Sequence, residues 1–334
     1  MSKNKVNQLE QSIKDSRKIK DTSLKTYISA LAKLKKHLEP DEDSQLNDTM
    51  FLRDFKKVMD VINSEKKITS KKNKLTAIIV ALNSDNPKDE PLINKYNNVL
   101  KDLGEKYTTF LKKQQKTETQ EKNWVNYEDL ITVANKLMRD VKNSEIKDKE
   151  KISKKECDMI QQLVILRTYL SFPLRNNFAN MRVVDYKKYK KIPDSERKQN
   201  NYLVLSPKNK KQFKINQYKN ERFLGEKSMD IPPTLNRIIN FWLKYNKSGY
   251  YLIKCNKDEP MNPNGITKYL NKIFLKYYKK KISTSMIRHI IISHNLEGEK
   301  TIKEKEQDEK KIKDTYLHSG PINDLYRKVD KKIK

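Results

Sequence analysis

The chain has 334 residues, with 73 Lys and Arg against 43 Asp and Glu, and the resulting formal net charge of +30 points to a polyanionic partner. Six Gly are present and neither G-x-x-x-x-G-K-[ST] nor G-x-G-x-x-G occurs, which excludes the common backbone cradles for nucleotide phosphates. The two cysteines, Cys157 and Cys255, are too few and too far apart for a zinc knuckle or a disulfide framework, and they fit a reducing compartment as ordinary thiols.

Hydrophobic residues, 35% of the chain and including 17 Tyr and 9 Phe, are spread widely enough to build packed cores, so wholesale disorder is excluded. The length suggests about two domains. Residues 1–20 are polar with little periodicity and read as a flexible basic arm. From Thr22 the pattern becomes helical. Leu24, Tyr27, Ile28, Leu31 and Leu34 form one apolar stripe; Phe51, Leu52, Phe55, Val58, Met59 and Ile62 form a second. Leu75, Ile78, Ile79 and Leu82 form a third, and Leu92 to Leu111 a fourth behind Pro91. Residues 21–115 are therefore expected to be a helical domain.

The stretch KKQQKTETQEK, Lys112 to Lys122, has no apolar residue, which sets a linker at 116–123. A second domain, 124–334, opens with helical patterns at 124–141 and 157–170, the latter stopping before Pro173. The period then shortens. Asn201–Ser206, Gln212–Gln217 and Ser228–Ile231 read as two or three strands of a small antiparallel sheet. Helical patterns return at 234–245, 266–278, 284–295 and about 321–332. The expected fold is mainly α: an N-terminal helical domain followed by a mostly helical domain with a small antiparallel β-sheet. The longest aliphatic runs, such as Ala77 to Leu82, fall well short of the ~20 residues of a membrane span, and the start lacks an apolar signal core. A soluble, intracellular protein is expected.

Three stretches of the second domain place Arg, His or Tyr beside an apolar element. In LSFPLRNNFANMRVVDY, Arg175 follows directly on a helix end. In SMIRHIIISH, an apolar helix carries Arg288, His289 and His294. In LHSGPINDLY, His318 lies in a loop and Tyr326 on the helix after it. In this order they resemble the catalytic boxes of the tyrosine recombinase and integrase family, most closely the divergent forms of large DNA viruses, their satellite viruses and related transposons. The first stretch is similar to T-G-L-R-x-x-E, with Phe178 in the acidic position. The second is similar to H-x-L-R-H-T-F-A-T-H, with Ser285 in place of the leading His. The third is similar to G-H-S-x-x-x-x-T-x-x-Y, with His318 and Tyr326 eight residues apart, one fewer than usual. Upstream, DTSLKTYISALAKLKKHL is similar to the first helix of the family's DNA-clamp domain, so the resemblance spans residues 20–334.

The resemblance implies a catalytic set of Arg175, Lys219, Arg288, His318 and Tyr326. Tyr326 attacks a DNA phosphorus to form a 3′-phosphotyrosyl bond, the two Arg clamp the phosphate, and His318 donates to one of its oxygens. Lys219 is assigned to the family's turn between the second and third strands and protonates the leaving 5′-oxygen; Lys227 and Lys214 are alternatives. With Ser285 a poor base, His289 is a candidate to take the Tyr326 proton. Two guanidinium forks are what metal-free phosphodiester cleavage requires at the nonbridging oxygens. The covalent bond conserves the phosphodiester's energy, so rejoining needs no ATP and no cofactor or metal is expected. Double-stranded DNA and a homotetramer assembled on it are the implied partners. A type IB topoisomerase and a non-catalytic DNA-binding protein on the same scaffold are the alternatives.

Overall fold

Apolar stripes and side-chain caps set the helices of the N-terminal half. In a computed structural model, which describes residues 8–41, 45–207, 210–219, 221–246, 248, 250–254, 259–295 and 325–328, the chain divides into two compact units, Met1–Lys113 and Gln114–Lys334. The first holds helices α1 (Gln8–Ser16), α2 (Asp21–Leu38), α3 (Phe55–Asn63), α4 (Ile68–Leu82) and α5 (Glu90–Lys112). Asp54 and Asp89 cap α3 and α5 by accepting from the backbone N–H groups of Lys57 and Leu92. Leu24, Leu31, Leu34, Leu75, Ile78 and Leu82 fill the core, where the Tyr96 hydroxyl donates to the Leu52 carbonyl at 2.9 Å.

The expected basic arm is in part a helix. Leu9 and Ile13 of α1 are 2% and 0% exposed in this same core, and the Leu9 N–H donates to the Leu46 carbonyl. Two apolar residues one turn apart are too few to register as a period among polar neighbours, yet they share a face and suffice to dock a short helix.

The second unit begins with α6 (Glu118–Asn123), inside the expected linker. Thr117 and Gln120 form a reciprocal capping box, which starts a helix without any apolar residue. Helices α7 (Tyr127–Asn143) and α8 (Lys154–Ser171) follow, and α8 is the central post of the unit. It buries Ile160, Leu163, Val164, Ile165, Leu166 and Tyr169 against α7, α12 (Pro233–Tyr245), α13 (Pro263–Tyr278) and α14 (Thr284–Asn295).

The sheet lies in the middle of this unit's chain. Strands β1 (Arg182–Asp185), β2 (Tyr202–Leu205), β3 (Lys211–Ile215) and β4 (Lys227–Asp230) are arranged in the order β1-β2-β3-β4. Leu203 pairs with Phe213, and Phe213 with Met229, in antiparallel register; these three side chains enter the core in line. The sheet is mixed, not antiparallel throughout, because β1 runs parallel to β2. A parallel pair needs a crossover, and the short helices α9 (Tyr186–Lys191) and α10 (Asp194–Arg197) form it. Helix α11 (Glu221–Leu224) separates β3 from β4. Among the described residues, no helix is long and apolar enough to cross a membrane.

Candidate active site

Arg175 is aimed by the way α8 ends. Pro173 cannot continue the helix, and Phe172, Pro173 and Leu174 are all buried, which leaves Arg175 as the first half-buried side chain after the stop. The Tyr169 hydroxyl of α8 donates back to the Arg175 carbonyl at 3.1 Å. Three residues on, Phe178 is fully buried. Its ring meets those of Tyr169 and Phe213 at centroid distances of 5.3 and 5.1 Å, so the position expected to carry an acid belongs to the core that supports the Arg175 turn. Phe178→Ala is expected to cost about 3–5 kcal/mol of unfolding free energy. Urea unfolding of the intact chain followed by tryptophan fluorescence reads this directly, because Trp124 and Trp242 both lie in the second unit.

Helix α14 supplies the next two groups. Ser283 starts it, with its Oγ accepting from the Met286 N–H at 3.2 Å. Met286, Ile287, Ile290, Ile291 and Ile292 are buried in the core of the unit, and Arg288, in their midst, is only 1% exposed. Ser285 is exposed at the helix start. His294 stacks on the Tyr127 ring at 4.2 Å with its Nδ1 3.8 Å from Glu128, a packing position.

Tyr326 meets these groups from the far end of the chain. Arg175 Nη2 donates to its Oη at 3.0 Å across 151 residues of sequence. The Arg288 guanidinium lies 4.6 Å from the centre of the Tyr326 ring, within cation–π range. The His289 ring is 5.0 Å from the tyrosine ring, and its Nδ1 is 2.7 Å from the Tyr326 backbone oxygen. Since a carbonyl only accepts, His289 carries its proton on Nδ1. Burial pushes the His289 imidazole down to about 4, with the Tyr326 carbonyl opposing and the charges of Lys328 and Arg288 adding, so the ring is neutral at pH 7.

Arg175, Arg288, Tyr326 and His289 thus come together, and Lys219 stands apart from the expected turn. It is exposed after β3 and before α11, between the third and fourth strands. The reason is β1, whose presence makes the pair read as first and second strands the second and third. Ser206 N–H bonds the Lys210 carbonyl across the actual β2–β3 turn. Lys214 points from β3 to Ser228 Oγ at 2.5 Å and lies 3.8 Å from Glu226, while Lys227 begins β4. His318 lies outside the described residues.

Three further buried side chains were not singled out by the sequence patterns. Lys328 is 7% exposed, with its ammonium pushed down by burial, and its backbone N–H donates to Ser293 Oγ at 2.7 Å. Tyr169, fully buried and raised by that burial, feels the Arg288 charge in the opposite direction. Lys211, beside the β2–β3 turn, is buried with its ammonium on the Asn236 and Asn240 side chains, and burial lowers it. A single buried lysine gives no periodic signal in a chain that has 62 of them.

Comparison of the chain with models of known protein families matches none of them, and comparison with curated proteins finds no relative.

Proposed function

We propose that this chain cuts and rejoins DNA strands through a covalent bond between Tyr326 and a 3′-phosphate. The observation that carries the reading is the convergence of two guanidinium groups from distant segments on one tyrosine, Arg175 on its oxygen and Arg288 on its ring. In this reading a phosphate at Tyr326 Oη is gripped by both forks, Arg175 lying on that oxygen and Arg288 on the ring that carries it. The Oη–P bond forms as the P–O5′ bond breaks, the Oη proton passes to water at the half-exposed phenol, the two Arg neutralise the charge gathering on the nonbridging oxygens, and the 5′-oxygen leaves with a proton from a lysine, which water then restores. Attack by a 5′-hydroxyl reverses these steps and releases Tyr326. In this scheme Lys219 and His318 keep the roles that the sequence resemblance assigns to them, and the helical first unit grips the duplex. The excess of lysine holds the DNA backbone, with affinity falling steeply as salt rises. Assembly as a tetramer on two duplexes belongs to the same proposal.

The test uses pools of randomised duplexes nicked so that the 5′-hydroxyl fragment diffuses away after cleavage. A detergent-stable adduct is expected, with the phosphotyrosyl peptide containing Tyr326. Binding without an adduct favours a non-catalytic scaffold, and relaxation of supercoiled plasmid without sequence preference favours the topoisomerase.

A further inference from the structure

The Tyr326 segment is held by its backbone as well as by its phenol. His289 and Ser293 are four residues apart on α14 and so lie on one face, one turn apart. The first meets the Tyr326 carbonyl through Nδ1 at 2.7 Å, and the second accepts the Lys328 N–H on Oγ at 2.7 Å. The two groups lie where a helix ends, Leu325 and Tyr326 being helical and Arg327 and Lys328 not. The face of α14 therefore presents one donor and one acceptor to the main chain of this helix end. Neither bond depends on a side chain of residues 325–328.

We propose that His289 and Ser293 are positioning residues that dock the Tyr326 segment onto α14 through its main chain and thereby set the phenol against Arg175 and the ring against Arg288. The arrangement has a physical reason. Arg288 precedes His289 on the same helix, so fixing the Tyr326 carbonyl to His289 fixes the ring relative to the adjacent guanidinium. Ser293 is 2% exposed and Lys328 is 7% exposed, so the bond between them is sheltered from water, and losing the acceptor leaves a buried N–H without its partner. Neutral His289 makes its bond without bringing a further charge beside Arg288 and Lys328.

The docking is read independently of any reaction by hydrogen–deuterium exchange of residues 325–328 in the full chain; its consequence for chemistry rests on the proposed role of Tyr326. Ser293→Ala and His289→Leu each remove one bond. His289→Asn keeps a donor, because the amide Nδ2 overlays the imidazole Nδ1. Ser293→Ala and His289→Leu are expected to raise exchange of the segment about tenfold and to slow adduct formation by a similar factor at saturating DNA, with DNA affinity unchanged. His289→Asn is expected to retain most of both. Unchanged exchange in Ser293→Ala and His289→Leu overturns the docking proposal. So does a His289→Asn protein that exchanges like wild type yet reacts as slowly as His289→Leu, since the imidazole then acts on the reaction itself. If the wild-type chain forms no adduct but exchange follows the variants as expected, the docking stands and the strand-cleavage proposal falls.

Discussion

Tyr326→Phe is expected to abolish adduct formation on suicide DNA, a loss of about 10⁴-fold or more, while leaving the fold and DNA affinity close to wild type. The ring stays, and with it the packing against the core of the second unit and the contact with Arg288. What is lost is one oxygen and its 3.0 Å bond from the charged Arg175, worth about 1.5–3 kcal/mol to stability at most. Binding that rests on the lysine-rich surface does not depend on that oxygen. Arg175→Lys is the companion variant. An ammonium cannot present a planar fork to two oxygens, so cleavage is expected to fall by about 10²–10³-fold with the tyrosine still in place. Quench-flow or gel measurements of adduct formed at saturating DNA separate these effects from binding. An adduct that persists in Tyr326→Phe, or that maps to another of the 17 Tyr, removes Tyr326 from the mechanism.

The helices were legible because each carries its own apolar stripe, as Leu24, Leu31 and Leu34 do in α2 or Leu235, Ile238, Ile239 and Trp242 do in α12. The same signal failed for α1 and α6. One helix is stabilised by two buried residues and the other by a capping box, and neither device makes a period. Strands β2 to β4 were bounded by turn residues and stood out, whereas β1 is four residues long and pairs in parallel with a strand on the far side of two short helices. Missing it displaced the strand count by one, so that Lys219 lies between the third and fourth strands of the sheet and not between the second and third.

The site residues divide in a similar way. Arg175, Arg288 and Tyr326 were marked by the order of three short boxes, but no spacing states that groups 151 residues apart meet at 3.0 Å. His289 was singled out in an isoleucine-rich helix, whereas Ser293, one turn further on, was not. Their common partner, the backbone of 326–328, is a property of tertiary packing and leaves no trace in the sequence of either segment. Phe178 shows the opposite case. Read beside the family pattern it is a departure, and in the fold it is an ordinary core residue between Tyr169 and Phe213.

Replacement of Arg288 separates stability from chemistry. A guanidinium that is 1% exposed, set among isoleucines on α14, carries a desolvation cost of several kcal/mol. A side chain of similar length without the charge avoids that cost. Arg288→Met is therefore expected to leave the thermal midpoint unchanged or to raise it, while cleavage at saturating DNA falls by about 10²–10³-fold. Arg288→Lys keeps the charge but concentrates it on a strongly hydrated ammonium, so it is expected to lose both stability and the fork that spans two phosphate oxygens. Calorimetry of the three proteins and a single-turnover adduct assay give the two axes. If Arg288→Met instead unfolds the second unit about 6–12 °C earlier, the equivalent of about 3 kcal/mol, Arg288 is holding the core together and its place over Tyr326 is incidental. If stability is kept and cleavage is lost, a costly buried charge persists at the one point where it faces the attacking tyrosine, which is what a group retained for transition-state stabilisation does.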